Sequence, residues 1–115
     1  METLADVLTS IGTRIRTLRK GLNLSIEDLA GRTGLDWSWC ARIERGEAAP
    51  SIGALCRIAA TLHVPVGELF SRGTAVPADY LVRETAALLR DRPAAQQKHI
   101  LKGLRAMLGG RQVKK

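Results

Sequence analysis

The sequence predicts an all-α protein. Apolar residues recur at spacings of three and four along most of the chain, and helix-capping residues stand in front of the periodic segments. No alternating run of β-branched residues exceeds four, which leaves no strand to predict. Leu4, Leu8, Ile11, Ile15, Leu18 and Leu22 draw one apolar stripe along a first helix over roughly residues 3–21, weakened by Gly21 and ended by a turn at Asn23. Ser25, with Asp28 three residues on, approximates a capping box before IEDLAGRTG, and Gly34 stops that second helix. Asp36 is a good N-cap for a third helix, WSWCARIER, which Gly46 closes. Pro50 and Ser51 open a fourth, SIGALCRIAATLH, with Ile52, Leu55, Ile58, Ala59 and Leu62 facing inward. Pro65 ends it, and VGELF adds a short fifth turn of helix around Leu69 and Phe70.

SRGTAVP, residues 71–77, has the small residues, Gly and Pro of a linker. Beyond it, residues 79–91 and 93–108 predict two further helices, divided at Arg92-Pro93 and stopped by Gly109-Gly110. The expected organisation is a five-helix domain over residues 1–70, the linker, a two-helix segment over 78–109 and a basic tail over 110–115.

Composition bounds the function. The 115 residues are 45% hydrophobic and 25% charged, ordinary for a globular protein, and only Trp37, Trp39, Phe70 and Tyr80 are aromatic. No run of about 18 apolar residues exists to span a membrane. The N-terminal METLADVLTS lacks the pattern of a signal peptide, so a cytoplasmic protein is expected. Cys40 and Cys56 have no metal-site spacing and are expected as small core residues, not a disulfide, while His63 and His99 stand isolated. No metal, no cofactor and no catalytic residues are expected, because no nucleophile–base set, Gly-rich phosphate loop or carboxylate pair stands out. The net charge of +7 suggests a polyanionic partner or, equally, a solvated basic tail. Residues 1–73 carry a balance of only +1, and residues 74–115 carry +6.

Helices two and three are joined by about three residues around Gly34, the connection of a helix-turn-helix. Leu29 and Ala30 allow close approach, Leu35 plugs the turn, and Cys40 and Ile43 bury the third helix. IGTRIRTLRKGLNLS, EDLAGRTGL, RIERGEAAPS and LCRIAATLHVPVGELF, within residues 11–70, resemble the lambda-repressor/Cro (XRE-type) helix-turn-helix family. That resemblance implies a lambda-repressor-like fold with helix three in the DNA major groove. By position it implies a structural ion pair between Arg19 and Glu44, base contacts from Trp37, Ser38 and Arg42, and phosphate contacts from Arg14, Ser25 and Arg45. The sequence departs from the family pattern at Ile26, where Gln is usual at phosphate, at Glu47, whose carboxylate would repel phosphate, and at His63, where Gly or Asn is usual.

At about 100° per residue, Cys40 and Ile43 set the buried direction of helix three and send Ser38, Ala41, Arg42 and Arg45 outward. Trp37 and Trp39 fall on opposite flanks. Trp39 is expected to pack against helix two, and three roles stay open for Trp37: a thymine methyl or the sugar-phosphate wall, the domain's own core, or a protein partner. Arg42 is the candidate reader of guanine.

Two functional readings follow. One is a sequence-specific regulator of transcription, a dimeric repressor on a palindromic site in double-stranded DNA. The other is a protein-interaction module on the same fold, such as an antitoxin or a partner of another regulator. Two short helices are too small to hide both apolar faces alone, so Leu81, Leu88, Leu89, Ile100, Leu101, Leu104 and Leu108 are expected to form a homodimer interface, the alternative being that these helices fold back onto helices one and five.

Overall fold

The computed structural model describes residues 2–72 and 79–108, and every described element is helical. In order these are α1 (Leu4–Gly21), α2 (Ile26–Thr33), α3 (Trp37–Glu44), α4 (Ile52–Thr61), a 3₁₀ helix (Val66–Phe70), α5 (Tyr80–Arg90) and α6 (Ala94–Leu108). Among the described residues no helix is long and apolar enough to cross a membrane. The chain divides into two compact units, residues 1–84 and 85–115. Of the expected linker only Ser71 and Arg72 are described, and the basic tail lies outside the described residues.

Local chemistry sets the helix starts in the first unit. The Ser25 hydroxyl accepts from the Asp28 N–H, and the Asp28 carboxylate accepts from the Ser25 N–H, each at 2.9 Å, which closes the capping box of α2. These bonds hold the Asp28 carboxyl below its usual range. Thr3 and Asp6 form the same box on α1, and Ser51 caps α4 by accepting from the Ala54 N–H. Gly34 ends α2 with φ +76°, a left-handed conformation that glycine adopts without strain. Thr33 braces that turn: its hydroxyl donates to the Leu29 carbonyl at 2.8 Å and accepts from the Leu35 N–H at 3.3 Å.

The core of this unit gathers Ile11, Ile15, Leu18 and Leu22 of α1 against Leu29, Cys40, Ile43, Leu55, Ile58, Leu62 and Leu69. Helices α1 and α3 meet at Gly12, where a Cβ would lie 2.4 Å from the Ile43 carbonyl oxygen and 2.5 Å from that of Glu44. The two backbones pack without an intervening side chain.

Three apolar assignments change. Leu4 is 69% exposed, because burial on α1 is complete only from Ile11 onward. Ile52, the first residue of α4, also points to solvent. Cys40 is buried, and burial pushes its thiol up, but Cys56 is exposed on the outer face of α4.

The first turn of α5 belongs to the first unit, a docking that the pattern of residues 78–109 did not announce. The Tyr80 ring is buried and its hydroxyl donates to the Leu18 carbonyl at 3.0 Å. Gly21 leaves room for it, since a Cβ there would lie 2.0 Å from the Tyr80 oxygen. One turn on, Glu84 is 7% exposed, and one of its oxygens lies 3.0 Å from Arg32 Nη1 and 2.8 Å from His63 Nε2. Burial pushes the Glu84 carboxyl up, but Arg32 and His63 together outweigh it and hold it below its usual range. His63, just past the α4 C-cap Leu62, adopts φ +62°, and its ring is one of the two groups that meet Glu84.

The second unit is the rest of α5 followed by α6. The Gln97 side chain ties the connection, its Nε2 donating to the Leu89 carbonyl at 2.7 Å and the Arg92 carbonyl at 3.0 Å. No residue of α6 is buried.

Candidate nucleic-acid interface

Helix α3 carries two chemically distinct faces. Its inner face is locked. Cys40 and Ile43 enter the core, and Glu44 meets Arg19 in a bidentate pair, with Nε to Oε2 at 2.7 Å and Nη2 to Oε1 at 2.9 Å. The third donor of that guanidinium reaches the Leu24 carbonyl at 2.7 Å. The side chains of this pair are 8% and 4% exposed, so Glu44 anchors α3 to α1 and is withdrawn from any ligand. The Glu44 carboxylate beside it raises the Arg19 guanidinium above its usual range.

The outer face is open. Ser38, Arg42 and Arg45 are exposed, and Trp37 is 57% exposed. With more than half of its surface open, the Trp37 ring is available to an outward partner. Trp39 is half-buried and packs against the core. Asp36 caps the helix by accepting from the Ser38 and Trp39 N–H groups, and these bonds, with the Ser38 hydroxyl first among them, hold its carboxyl low. Because the Ser38 hydroxyl donates to Asp36, it presents an acceptor outward. The guanidinium of Arg42 lies over the Trp39 ring and donates to the Glu47 carbonyl at 3.2 Å.

The flanking contacts sort differently. Ser25 is exposed at the start of α2, its hydroxyl oxygen accepting from Asp28. Arg45 is exposed and pairs with the Glu47 carboxylate at 3.1 Å, an arrangement that holds the Glu47 carboxyl below its usual range. Such exposed pairs are weak and open readily. Ile26, at a position where the family carries Gln, packs against the core. Arg14 is a correction. It is 3% exposed, its Nη2 meets Glu68 Oε1 at 2.6 Å and its Nε donates to the Glu68 carbonyl at 3.3 Å. A guanidinium held by the 3₁₀ helix in this way faces the interior and is not presented to phosphate.

The leucines expected at a dimer interface lie on α5 and α6. Leu81, Leu88, Leu101 and Leu108 are exposed, and Leu89, Ile100 and Leu104 are half-buried. Within the second unit Thr85, Leu88, Leu89, Ile100 and Leu104 line one shallow groove. Met107, near the end of α6, is exposed as well. Among the described residues no group of three or more His, Cys, Asp or Glu is placed to hold a metal ion.

Comparison with known proteins fits this geometry. Residues 10–70, more than half the chain, match the family model described as "Helix-turn-helix domain". The chain is 42% identical over 65 residues to the HTH-type transcriptional regulator SlrR of Bacillus subtilis, covering 56% of this chain and 43% of that protein. It spans less than half the length of the curated relatives it matches. Among solved structures, the restriction-modification controller protein C.AhdI of Aeromonas hydrophila superposes with a TM-score of 0.54 and 38% identity, over 55% of this chain and 96% of that one. The SinR protein/SinI protein complex matches with a TM-score of 0.53 and 26% identity, over 84% of this chain and 96% of that one. The chain belongs to the helix-turn-helix domain family in its lambda-repressor/Cro-like (XRE) type, a family of DNA-binding regulators of transcription and not of enzymes.

Proposed function

We propose that the protein is a sequence-specific regulator of transcription that binds double-stranded DNA as a homodimer and represses by occupying a palindromic site. The observation that carries this reading is the division of α3, one face fixed in the core and the other offering Trp37, Ser38 and Arg42 outward. In this reading α3 enters the major groove. Arg42 donates to guanine O6 and N7, Ser38 accepts from a base donor, and the Trp37 ring rests on a thymine methyl. Ser25 and Arg45 meet phosphate, Arg45 leaving its exposed pair with Glu47 to do so. Arg14 takes no part.

The homodimer reading is supported by the second unit, where α6 buries no residue and Leu88, Leu101 and Leu108 stay exposed. Apolar surface of this kind on a short hairpin is stabilised by a partner. Selection of binding sites from a random duplex pool, followed by titration, tests the whole reading. Two copies of α3 in successive major grooves require half-site centres about 10 base pairs apart, and affinity that falls with salt. A pool that yields no site preferred over random DNA at moderate salt overturns it. Light scattering on Leu88→Glu and Leu101→Glu tests the dimer separately; variants that remain dimeric with unchanged affinity refute that interface.

The exposed indole of Trp37 favours one second reading, a protein-interaction module on the same fold. A stoichiometric protein that co-purifies and is lost on Trp37→Ala, without a preferred DNA site, selects it.

A further inference from the structure

The arginine proposed to read a base does not stand alone on its helix. Trp39 lies one turn before Arg42 on α3, and the guanidinium carbon sits over the Trp39 ring, 5.5 Å from its centroid. Side chains three apart share a helix face, and a guanidinium within about 6 Å of an indole centroid is attracted by the ring quadrupole. The ring is itself fixed, because Trp39 is half-buried and packed against the core. On the other side, Arg42 Nη2 donates to the Glu47 carbonyl at 3.2 Å, and the Glu47 N–H donates back to the Arg42 carbonyl at 2.9 Å. The Arg42 side chain is therefore held between an anchored ring and the turn after α3, while it stays exposed.

Guanine readout needs two guanidinium donors directed together at O6 and N7. A long side chain that is free before binding loses rotamer freedom on docking, and one already held loses less. A ring contact consumes no N–H donor, and the Glu47 carbonyl takes one of the five that a guanidinium has, so a forked pair remains for the base.

We infer that Trp39 is a positioning residue for base readout: its ring holds Arg42 in place for a guanine before DNA arrives. The inference rests on the reading of α3 as the base-reading helix. Trp39 does not itself touch the base.

Two measurements on the full chain test it. In the free protein, the side-chain proton resonances of Arg42 should be shifted by the indole ring current. The shift should collapse in Trp39→Leu, which keeps an apolar contact with the core, and a ring-current shift should remain in Trp39→Tyr, which keeps a ring. Trp39→Met serves as a second ring-free variant if Trp39→Leu does not fold. The DNA measurement uses duplexes recovered by selection, at the base pair whose identity no longer matters to Arg42→Ala. There Trp39→Leu should lower discrimination about two- to fivefold, the range of a cation–π contact at an exposed site. Discrimination at other pairs and the salt dependence should not change, and Trp39→Tyr should restore the loss. In the Arg42→Ala background, Trp39→Leu should have no effect at that pair.

Unshifted Arg42 resonances in the wild-type protein overturn the inference, as does an equal loss at every base pair or a loss that persists without Arg42. Selection that returns no preferred duplex overturns the regulator reading and this role with it. A shifted Arg42 that Trp39→Leu releases with no change in discrimination overturns the role of Trp39 alone.

Discussion

Replacing Glu44 by Ala should unfold the first unit tens of degrees early, while replacing Arg42, two residues before it, should leave the melting point nearly where it was. The carboxylate of Glu44 accepts two N–H groups from Arg19, at 2.7 and 2.9 Å, between side chains 4% and 8% exposed. Hydrogen bonds to charged groups contribute about 1.5–3 kcal/mol each, and removing one partner of a buried pair costs about 3–5 kcal/mol. Arg19 keeps its bond to the Leu24 carbonyl, which places the expected loss at the lower end, about 3–4 kcal/mol. In a unit of this size each kcal/mol moves the midpoint by about 4–8 °C, so the melt should fall by roughly 12–30 °C. Arg42 loses only an exposed ring contact and one carbonyl bond, and Arg42→Ala should cost under about 1 kcal/mol. Replacing both partners, Arg19→Leu with Glu44→Leu, should recover much of the loss, since the uncompensated charge is then gone. Circular dichroism melts and urea titrations of the three variants decide. The division of α3 into an anchoring and a reading face is refuted if Glu44→Ala stays within about 1 kcal/mol of wild type, or if Arg42→Ala melts earlier.

Gly12→Ala should destabilise more than ordinary overpacking, which costs about 1–3 kcal/mol, because its Cβ would meet the backbone carbonyls of Ile43 and Glu44 and no side chain can yield; denaturant titration reads it directly. Gly21→Ala should be milder, since the obstacle is the movable phenol of Tyr80, and should match Tyr80→Phe at about 1 kcal/mol through loss of the bond to the Leu18 carbonyl. Protease susceptibility around residues 79–84 should rise in both, and an unchanged cleavage pattern would argue against that docking. Glu84 has a lowered carboxyl, so it stabilises the fold above the ordinary carboxylate range and loses that contribution as pH falls through its lower folded value. Glu84→Gln should therefore show a flatter acid limb in a stability–pH profile, and an unaltered limb would remove Glu84 from the account.

What the sequence disclosed was chiefly local. Ser25 with Asp28, Asp36 and Gly34 announce their helix boundaries because capping and left-handed turns depend on residues within four positions. Arg19 and Glu44 were legible only through family position, since no local rule links residues 25 apart. Arg14 could not be read at all in this way. Its exposure depends on Glu68, 54 residues away, so an arginine beside a polar face of α1 looks the same whether it meets solvent or a carboxylate of another element. Periodicity also overreached at Leu4 and Ile52, because a stripe tells which side of a helix is apolar and not where its neighbours end. Trp37 lay on a flank at 100° per residue, and only the packing of α3 turned it outward.

The boundary between the two units falls inside an unbroken helix, α5, and not in the Gly- and Pro-containing stretch before it. For recombination, natural or engineered, this changes where the protein can be cut and rejoined. A splice at residue 72 would export Tyr80 and Glu84 to a host that lacks the glycine at 21, the arginine at 32 and the histidine at 63 that receive them. It would leave the donor with an empty socket. A join made after Glu84, in helical register, keeps key and socket in one molecule, so exchange of the C-terminal hairpin with a host that lacks those three residues should succeed there and fail at the apparent linker.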